Sequence, residues 1–308
     1  MANLPGRKRG RVLTRLAVAA IAAALVGTTA GSAVADTPVP APLKSVDMGS
    51  VADAAPQQAT AEADAAAPVN ALFAADKSGE LFLYIPNGTG AFTPRQSIGG
   101  NWDLFWASAQ ADHNADGESE GLYAWDKLGN MFYNDDAGNS SEGRGWNIYN
   151  KVLAPGNLGG TQAYDILARD KAGVLYVYKG NANGTLQSRV KVGSGWNIYN
   201  QIVGQGDLSG DGRADIVARD GSGVLWLYKG TGNAAAPFAA RTKVGSGWNT
   251  FNYLVSTGDL NADGRTDLIA RDGAGALWRY NGTGNAAAPF SARVKIGASG
   301  WNIYSMLF

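Results

Sequence analysis

An all-β fold is predicted over residues 71–308, and three observations carry it. The phrase Asp-x-x-Gly-x-(Leu/Met)-aromatic occurs five times, with its Asp at Asp76, Asp126, Asp170, Asp220 and Asp272. Each copy closes on Gly-Trp-Asn or a near variant, at Trp102, Trp146, Trp196, Trp248 and Trp301. Runs such as Val224–Tyr228 and Ala276–Tyr280 alternate with a two-residue period between glycine-rich turns, and no stretch after residue 70 carries a helical period. Spacings of 44 to 53 residues between copies are too long for a helical-hairpin solenoid. They suit a four-stranded propeller blade.

The chain starts outside the repeat. Arg7, Lys8, Arg9, Arg11 and Arg15 form a basic beginning, Leu16–Val26 an apolar stretch and Ala33-Val34-Ala35 a small-residue cleavage site. Together they predict a secretory signal peptide over residues 1–35, and hence an extracellular protein. The apolar stretch is too short and too Ala-rich for a membrane span. Removing residues 1–35 takes away five basic and no acidic residues, which leaves 21 Lys and Arg against 26 Asp and Glu, a net charge of about −5. Nucleic acid is a poor partner for such a chain, because its binding needs concentrated positive charge. Residues 36–70 are Ala- and Pro-rich, with scattered acids and no periodic apolar face, and predict a disordered linker.

The ends of the repeat region are complementary. The first copy begins late, near Ala71-Leu72-Phe73, without the strand that precedes the Asp-rich loop elsewhere. The last residues, Trp301–Phe308, match Trp196–Val203 and then stop. A C-terminal strand that completes the first blade closes the ring and removes its exposed edges. The prediction is a five-bladed β-propeller over residues 71–308, held without cysteine by packing, closure and metal.

Three copies carry an Asp-rich loop after their first strand. Its oxygen side chains stand at positions 1, 3, 5 and 9, with Gly at 6 and a backbone carbonyl available at 7. The first set is Asp112, Asn114, Asp116, Glu118 and Glu120. The second is Asp207, Ser209, Asp211, Arg213 and Asp215, and the third Asp259, Asn261, Asp263, Arg265 and Asp267. This spacing surrounds one hard cation, and oxygen-only ligands favour Ca²⁺ over a transition metal. Up to three structural calcium sites are expected. The same residues also suit Asx turns, in which side chains bond the local backbone. A fourth loop, Asn157–Asp165, keeps the acid at position 9 but lacks those at 1 and 5, so no calcium is expected there.

Other repeated residues have two readings each. The closing tryptophans suit wedges between blades, and Trp146, Trp196, Trp248 and Trp301 also suit sugar-stacking platforms. The adjoining Asn147, Asn197, Asn249 and Asn302 are turn residues or amide contacts to sugar hydroxyls. Phe82, Phe132, Tyr176, Trp226 and Trp278 share one strand position, where a half-exposed ring can stack on a pyranose; the last three join the candidate binding set. Arg169, Arg219 and Arg271 precede the repeated Asp, which pairs with its neighbour or with backbone; a salt-bridged structural role is expected of them ahead of ligand binding. His113, the one histidine, is expected to face solvent from loop position 2. With no cysteine and no partnered histidine, no catalytic constellation is visible and no enzyme is expected. The Asn-Gly-Thr sequons at Asn87, Asn183 and Asn281 fall in turns.

The Asp loops and the phrase Ala-Arg-Asp-x-x-Gly-x-Leu-Trp-x-Tyr, carried by residues 169–178, 219–228 and 271–280, resemble the FG-GAP/VCBS repeats of secreted bacterial propellers. Residues 240–251 and 292–297 are similar to the repeat of the five-bladed tachylectin-type lectins. That second resemblance implies binding of N-acetylated amino sugars at blade interfaces. The chain departs from it at Ala234–Phe238 and Ala286–Phe290, where those lectins carry Asp-Asn-Trp. The expectation is a lectin-like propeller that recognises cell-surface glycans or glycoconjugates through repeated sites, whose modest affinities multiply on a repetitive target. The alternative is a protein-interaction propeller, the targeting subunit of a secreted antibacterial toxin or enzyme complex.

Overall fold

The computed structural model describes residues 67–135 and 138–308. The signal peptide read at 1–35, and the linker as far as residue 66, lie outside the described residues. Twenty strands form five four-stranded antiparallel sheets. Blade 1 contains β1 (Leu72–Asp76), β2 (Leu81–Tyr84) and β3 (Gln96–Gly99). Blade 2 runs from β4 (Phe105–Ala111) through β5 (Gly121–Asp126) and β6 (Met131–Asp135) to β7 (Gly138–Gly143). Blade 3 contains β8 (Tyr149–Gly156), β9 (Asp165–Asp170), β10 (Leu175–Tyr178) and β11 (Val190–Gly193). Blade 4 has β12 (Tyr199–Val203), β13 (Ile216–Asp220), β14 (Leu225–Tyr228) and β15 (Thr242–Gly245). Blade 5 has β16 (Phe251–Val255), β17 (Leu268–Asp272), β18 (Leu277–Tyr280) and β19 (Val294–Gly297).

The last strand, β20 (Tyr304–Leu307), pairs antiparallel with β1 and supplies the first strand of blade 1. Phe73 and Phe308 exchange backbone hydrogen bonds of 2.8 and 3.0 Å, and their rings stack at 5.3 Å. The predicted closure is the observed one. The first strands of the blades, β4, β8, β12, β16 and β20, line a central cavity of about 150 Å³.

Each hairpin between the second and third strands is built on the repeated Asp. Asp220 Oδ1 accepts the N–H groups of Ser222 and Val224 at 3.0 Å each, and its Oδ2 holds the Trp226 indole N–H at 2.9 Å. Asp272 treats Trp278 the same way, at 2.8 Å. The repeated Asp is thus a turn-forming residue, satisfied by local donors.

Blades are joined through the closing Trp. Each begins a one-turn 3-10 helix, and its backbone N–H bonds the hairpin Gly of the preceding blade: Trp102 to Gly79, Trp146 to Gly129, Trp196 to Gly173, Trp248 to Gly223 and Trp301 to Gly275, all at 2.9–3.0 Å. The indoles of Trp146, Trp196 and Trp248 are buried and lie 4.7 Å from Tyr178, Tyr228 and Tyr280, ring centre to ring centre. Burial of each such ring stabilises its interface by about 3–5 kcal/mol.

Among the described residues Arg169, Arg219 and Arg271 form no salt bridge, contrary to the sequence expectation. Arg271 donates Nη1–H to the carbonyls of Trp301 and Tyr304, at 2.9 and 2.8 Å, and Nε–H to Asn252 at 2.8 Å. Arg169 grips the carbonyls of Trp196 and Tyr199 in the same way, and Arg219 those of Trp248 and Phe251. The partners of each Nη1 are main-chain oxygens of the next blade, which no charge pattern in the sequence displays.

Candidate functional site

The Asp-rich loops lie at one end of the ring, between β4 and β5, β12 and β13, and β16 and β17. Their backbone is left-handed twice: at position 4 (Ala115, Gly210, Ala262; φ 64°, 81°, 60°) and at position 6 (Gly117, Gly212, Gly264; φ 89°, 79°, 85°). The sequence reading anticipated only the second. That winding aims N–H groups at the position 1 carboxylate. Asp207 accepts from Ser209, Gly210 and Gly212 at 2.8, 2.8 and 2.7 Å, and Asp112 accepts from Asn114, Ala115 and Gly117 at 3.0, 2.6 and 2.8 Å.

Two loops gather their acids. Asp112, Asp116 and Glu120 each offer a carboxylate oxygen within 4.8 Å of the others, and so do Asp207, Asp211 and Asp215. Among the described residues no Lys or Arg pairs with either trio. Burial holds the Asp112 carboxyl above its ordinary range, and pushes Asp215 to about 6 and Glu120 to about 7. Clustered, desolvated carboxylates without a counter-charge are electrostatically incomplete, and a hard divalent cation completes them. The donor set fits calcium. Asn114 and Ser209 stand at position 3, with the carbonyls of Glu118 and Arg213 at position 7.

The third loop differs from the sequence expectation. The carboxylates of Asp259, Asp263 and Asp267 do not converge as the other trios do. Arg279 instead lies with Nε 4.0 Å from Asp267 Oδ2, both side chains buried. Its guanidinium packs on Gly90 of blade 1, where any Cβ would overlap it, and Nη1 is buried without a partner. Nε–H is donated to Asn281 at 2.7 Å, so Arg279 is a buried cation beside one acid of this loop, a neighbour that the other two trios lack among the described residues. Equivalent strand positions hold Tyr133, Val177 and Leu227.

Asp165 explains why the fourth loop keeps only its last acid. It accepts N–H bonds from Leu158 at 2.9 Å and Gly180 at 3.0 Å, tying the loop to the end of the third strand. Asp215 bonds Leu208 and Gly230 likewise, and Asp267 bonds Leu260 and Gly282. Position 9 is therefore a structural brace whether or not its loop gathers the other acids.

His113 does not face solvent. It is 3% exposed, edge-on to Tyr123 and Tyr133, with Nε2 3.2 Å from the Tyr123 hydroxyl, and burial lowers its pKa to about 4. Position 2 points between the blades, as the buried Leu158, Leu208 and Leu260 at the same place indicate.

Most carbohydrate candidates lie at or near the opposite end of the ring. The indoles of Trp146, Trp196 and Trp248 are packed between blades and Trp301 is half-buried. Asn147, Asn197, Asn249 and Asn302 are exposed beside the hairpins. Asn302 Nδ2–H bonds Gly273 O at 2.9 Å, and the residue shares an open depression with Asp76, Lys77, Ser78 and Ile303. The half-buried rings of Tyr176, Trp226 and Trp278 carry stacked guanidiniums of Arg189, Arg241 and Arg293 at 4.4, 4.1 and 4.3 Å. Arg95 covers Phe82 at 4.4 Å. Sequence reasoning missed these cations. The available signal was the Arg-x-Lys step in Arg189–Lys191, Arg241–Lys243 and Arg293–Lys295, which puts both side chains on one face of a strand.

Among the described residues no helix is long and apolar enough to cross a membrane. Residues 207–270, which contain the second and third Asp loops, match the model of the FG-GAP-like repeat. No curated protein matches the sequence. A chain in the crystal structure of Kap60 bound to yeast RCC1 (Prp20) is similar at 8% identity and TM-score 0.38, over 74% of this chain and 59% of that one. A protein of unknown function from Bacteroides caccae is similar at 9% identity and TM-score 0.36, over 73% of each chain. The Nup133 β-propeller domain of Vanderwaltozyma polyspora follows at 9% and 0.34, over 75% of this chain and 74% of that domain. The fold is a five-bladed β-propeller that contains an FG-GAP-like repeat, an architecture suited to binding.

Proposed function

We propose that this chain is a secreted, calcium-stabilised, lectin-like propeller that recognises cell-surface glycans through repeated sites. The observation that carries the reading is the exposed amide at equivalent blade positions, Asn147, Asn197, Asn249 and Asn302. At the closing interface Asn302 shares its depression with the Asp76 carboxylate and the Ser78 hydroxyl. Amide, carboxylate and hydroxyl are the donor and acceptor set that sugar hydroxyls require. Calcium in the loops Asp112–Glu120 and Asp207–Asp215 braces the other end of the ring and takes no part in contact with the sugar.

A second reading has its own observation. Ile148, Ile198 and Ile303 end the 3-10 turns beside Asn147, Asn197 and Asn302, Leu104 ends the turn beside Asp103, and each is more than a third exposed. Apolar side chains around a polar face suit a protein partner, and so a targeting subunit in a secreted toxin or enzyme complex.

A glycan array probed with residues 36–308, with and without a calcium chelator, separates the two. The lectin reading expects a related set of bound glycans, with signal lost as chelator loosens the fold. A blank array from folded, calcium-loaded protein, together with capture of one defined secreted protein, replaces it with the second reading.

A further inference from the structure

The outer strands of blades 3, 4 and 5 repeat an arrangement that the sugar-platform reading does not absorb. In blade 4, Trp226 lies directly across from Lys243, and Arg241, two residues before that lysine, stacks on the Trp226 ring at 4.1 Å. In blade 3 the trio is Tyr176, Lys191 and Arg189; in blade 5 it is Trp278, Lys295 and Arg293. The Arg and Lys side chains are exposed and the rings half-buried. Cross-strand partners and residues two apart share one sheet face, so each trio is one continuous patch.

Three physical facts set these cations apart from ordinary surface charge. The guanidiniums are already ordered: Arg189 donates to the Tyr149 hydroxyl at 2.6 Å and Arg241 donates to that of Tyr199. Their anchors are neutral, and among the described residues no carboxylate forms an ion pair with any of the six cations. Asp220 and Asp272 are engaged instead with the indole N–H groups of Trp226 and Trp278. An unpaired, pre-ordered Arg beside a Lys is equipped for an anion, because little side-chain entropy remains to be lost when it binds. Blade 2 lacks the arrangement altogether, with Ser141 across from Phe132 and Asn139 two residues before it.

We propose that the outer walls of blades 3, 4 and 5 are repeated binding sites for acidic polysaccharides, each blade taking one sulfate or carboxylate between its Arg and its Lys. The proposal rests on the glycan-binding reading above and narrows it to anionic polymers. Equivalent sites on successive blades match a ligand whose charge recurs along a chain. Two cations per blade on a protein of net charge about −5 fall short of the dense positive field that nucleic acid demands.

The test is equilibrium binding of residues 36–308 to heparin, polygalacturonate, dextran and single-stranded DNA at fixed salt. The triple variant K191Q/K243Q/K295Q is measured alongside; its three positions are exposed, so the fold is retained. Wild type is expected to bind heparin or polygalacturonate and not dextran, and the preferred polymer names the anion. The variant is expected to bind about tenfold more weakly at unchanged melting temperature. Unchanged affinity in the variant overturns the proposal, as does DNA binding equal to that of the acidic polysaccharides. Acidic polymers that fail while neutral glycans bind on the array sink this inference alone. Failure of every glycan sinks the lectin reading with it.

Discussion

The interfaces that follow blades 3, 4 and 5 are built differently from those that follow blades 1 and 2. In the first group an arginine on the second strand reaches across to two carbonyls of the next blade's Trp turn: Arg169, Arg219 and Arg271. In the second group the same place holds Ala75 and Trp125. Trp125 packs on Trp146 at 5.6 Å with its own N–H buried and unpartnered, and His113, Tyr123 and Tyr133 fill the space beside it. One backbone arrangement is thus held by directional polar clamps on one side of the ring and by aromatic packing on the other. The lesson is that a repeat can keep its shape while its interfaces differ in chemistry, and so in their response to mutation and pH.

The largest expected effect breaks a clamp. Arg219→Met removes three bonds to Trp248, Phe251 and Asn200 and leaves two carbonyls without their donor. At about 1.5 kcal/mol for each charge-assisted bond, the loss is about 4.5 kcal/mol in urea unfolding. A loss under about 1 kcal/mol means that packing alone holds these interfaces and that the contrast between the two groups is false.

The next effect is confined to the other side of the ring and depends on pH. Burial lowers the His113 pKa from 6.5 to about 4, so the folded protein keeps the ring neutral. Its contribution is fully present above pH 6.5 and is lost as pH falls towards 4, because the unfolded chain protonates first. The loss over that window is about 3 kcal/mol. His113→Leu supplies the residue found in the other three loops, and its stability relative to wild type should rise across this window. A constant difference from pH 7 to pH 4 contradicts the buried, neutral histidine.

A smaller effect concerns the hairpins, which are common to both groups. Asp220→Ala removes the turn acceptor and frees the Trp226 indole, at a cost of about 1–2 kcal/mol with a shift in Trp emission. Asp126→Ala should cost a similar amount without that shift, since Phe132 stands in place of Trp226. Equal spectra for the two variants contradict the indole bond.

Blade number, strand order and closure were legible because they follow from two local signals repeated five times, the Asp turn and the two-residue alternation, and from the first strand missing in one copy alone. The Asp loops were legible for a similar reason, since ligand spacing is a property of one short segment. The features that escaped all lie between segments. His113 was misjudged because loop position 2 is buried by the neighbouring blade. The arginine clamps were misjudged because their partners are carbonyls, which carry no side-chain signature. Arg279 escaped because only the fold shows that this one side chain is buried against Gly90 of blade 1 and beside Asp267.

That last residue makes calcium count the sharpest test of the proposed calcium sites: two loops bring their acids together, and in the third the acids do not converge and Asp267 lies beside Arg279. Titration of residues 36–308 with calcium should give two equivalents. Asp112→Ala and Asp207→Ala should each remove one, Asp259→Ala none, and Arg279→Leu should restore a third. Three equivalents in the wild type, or none, contradict this reading.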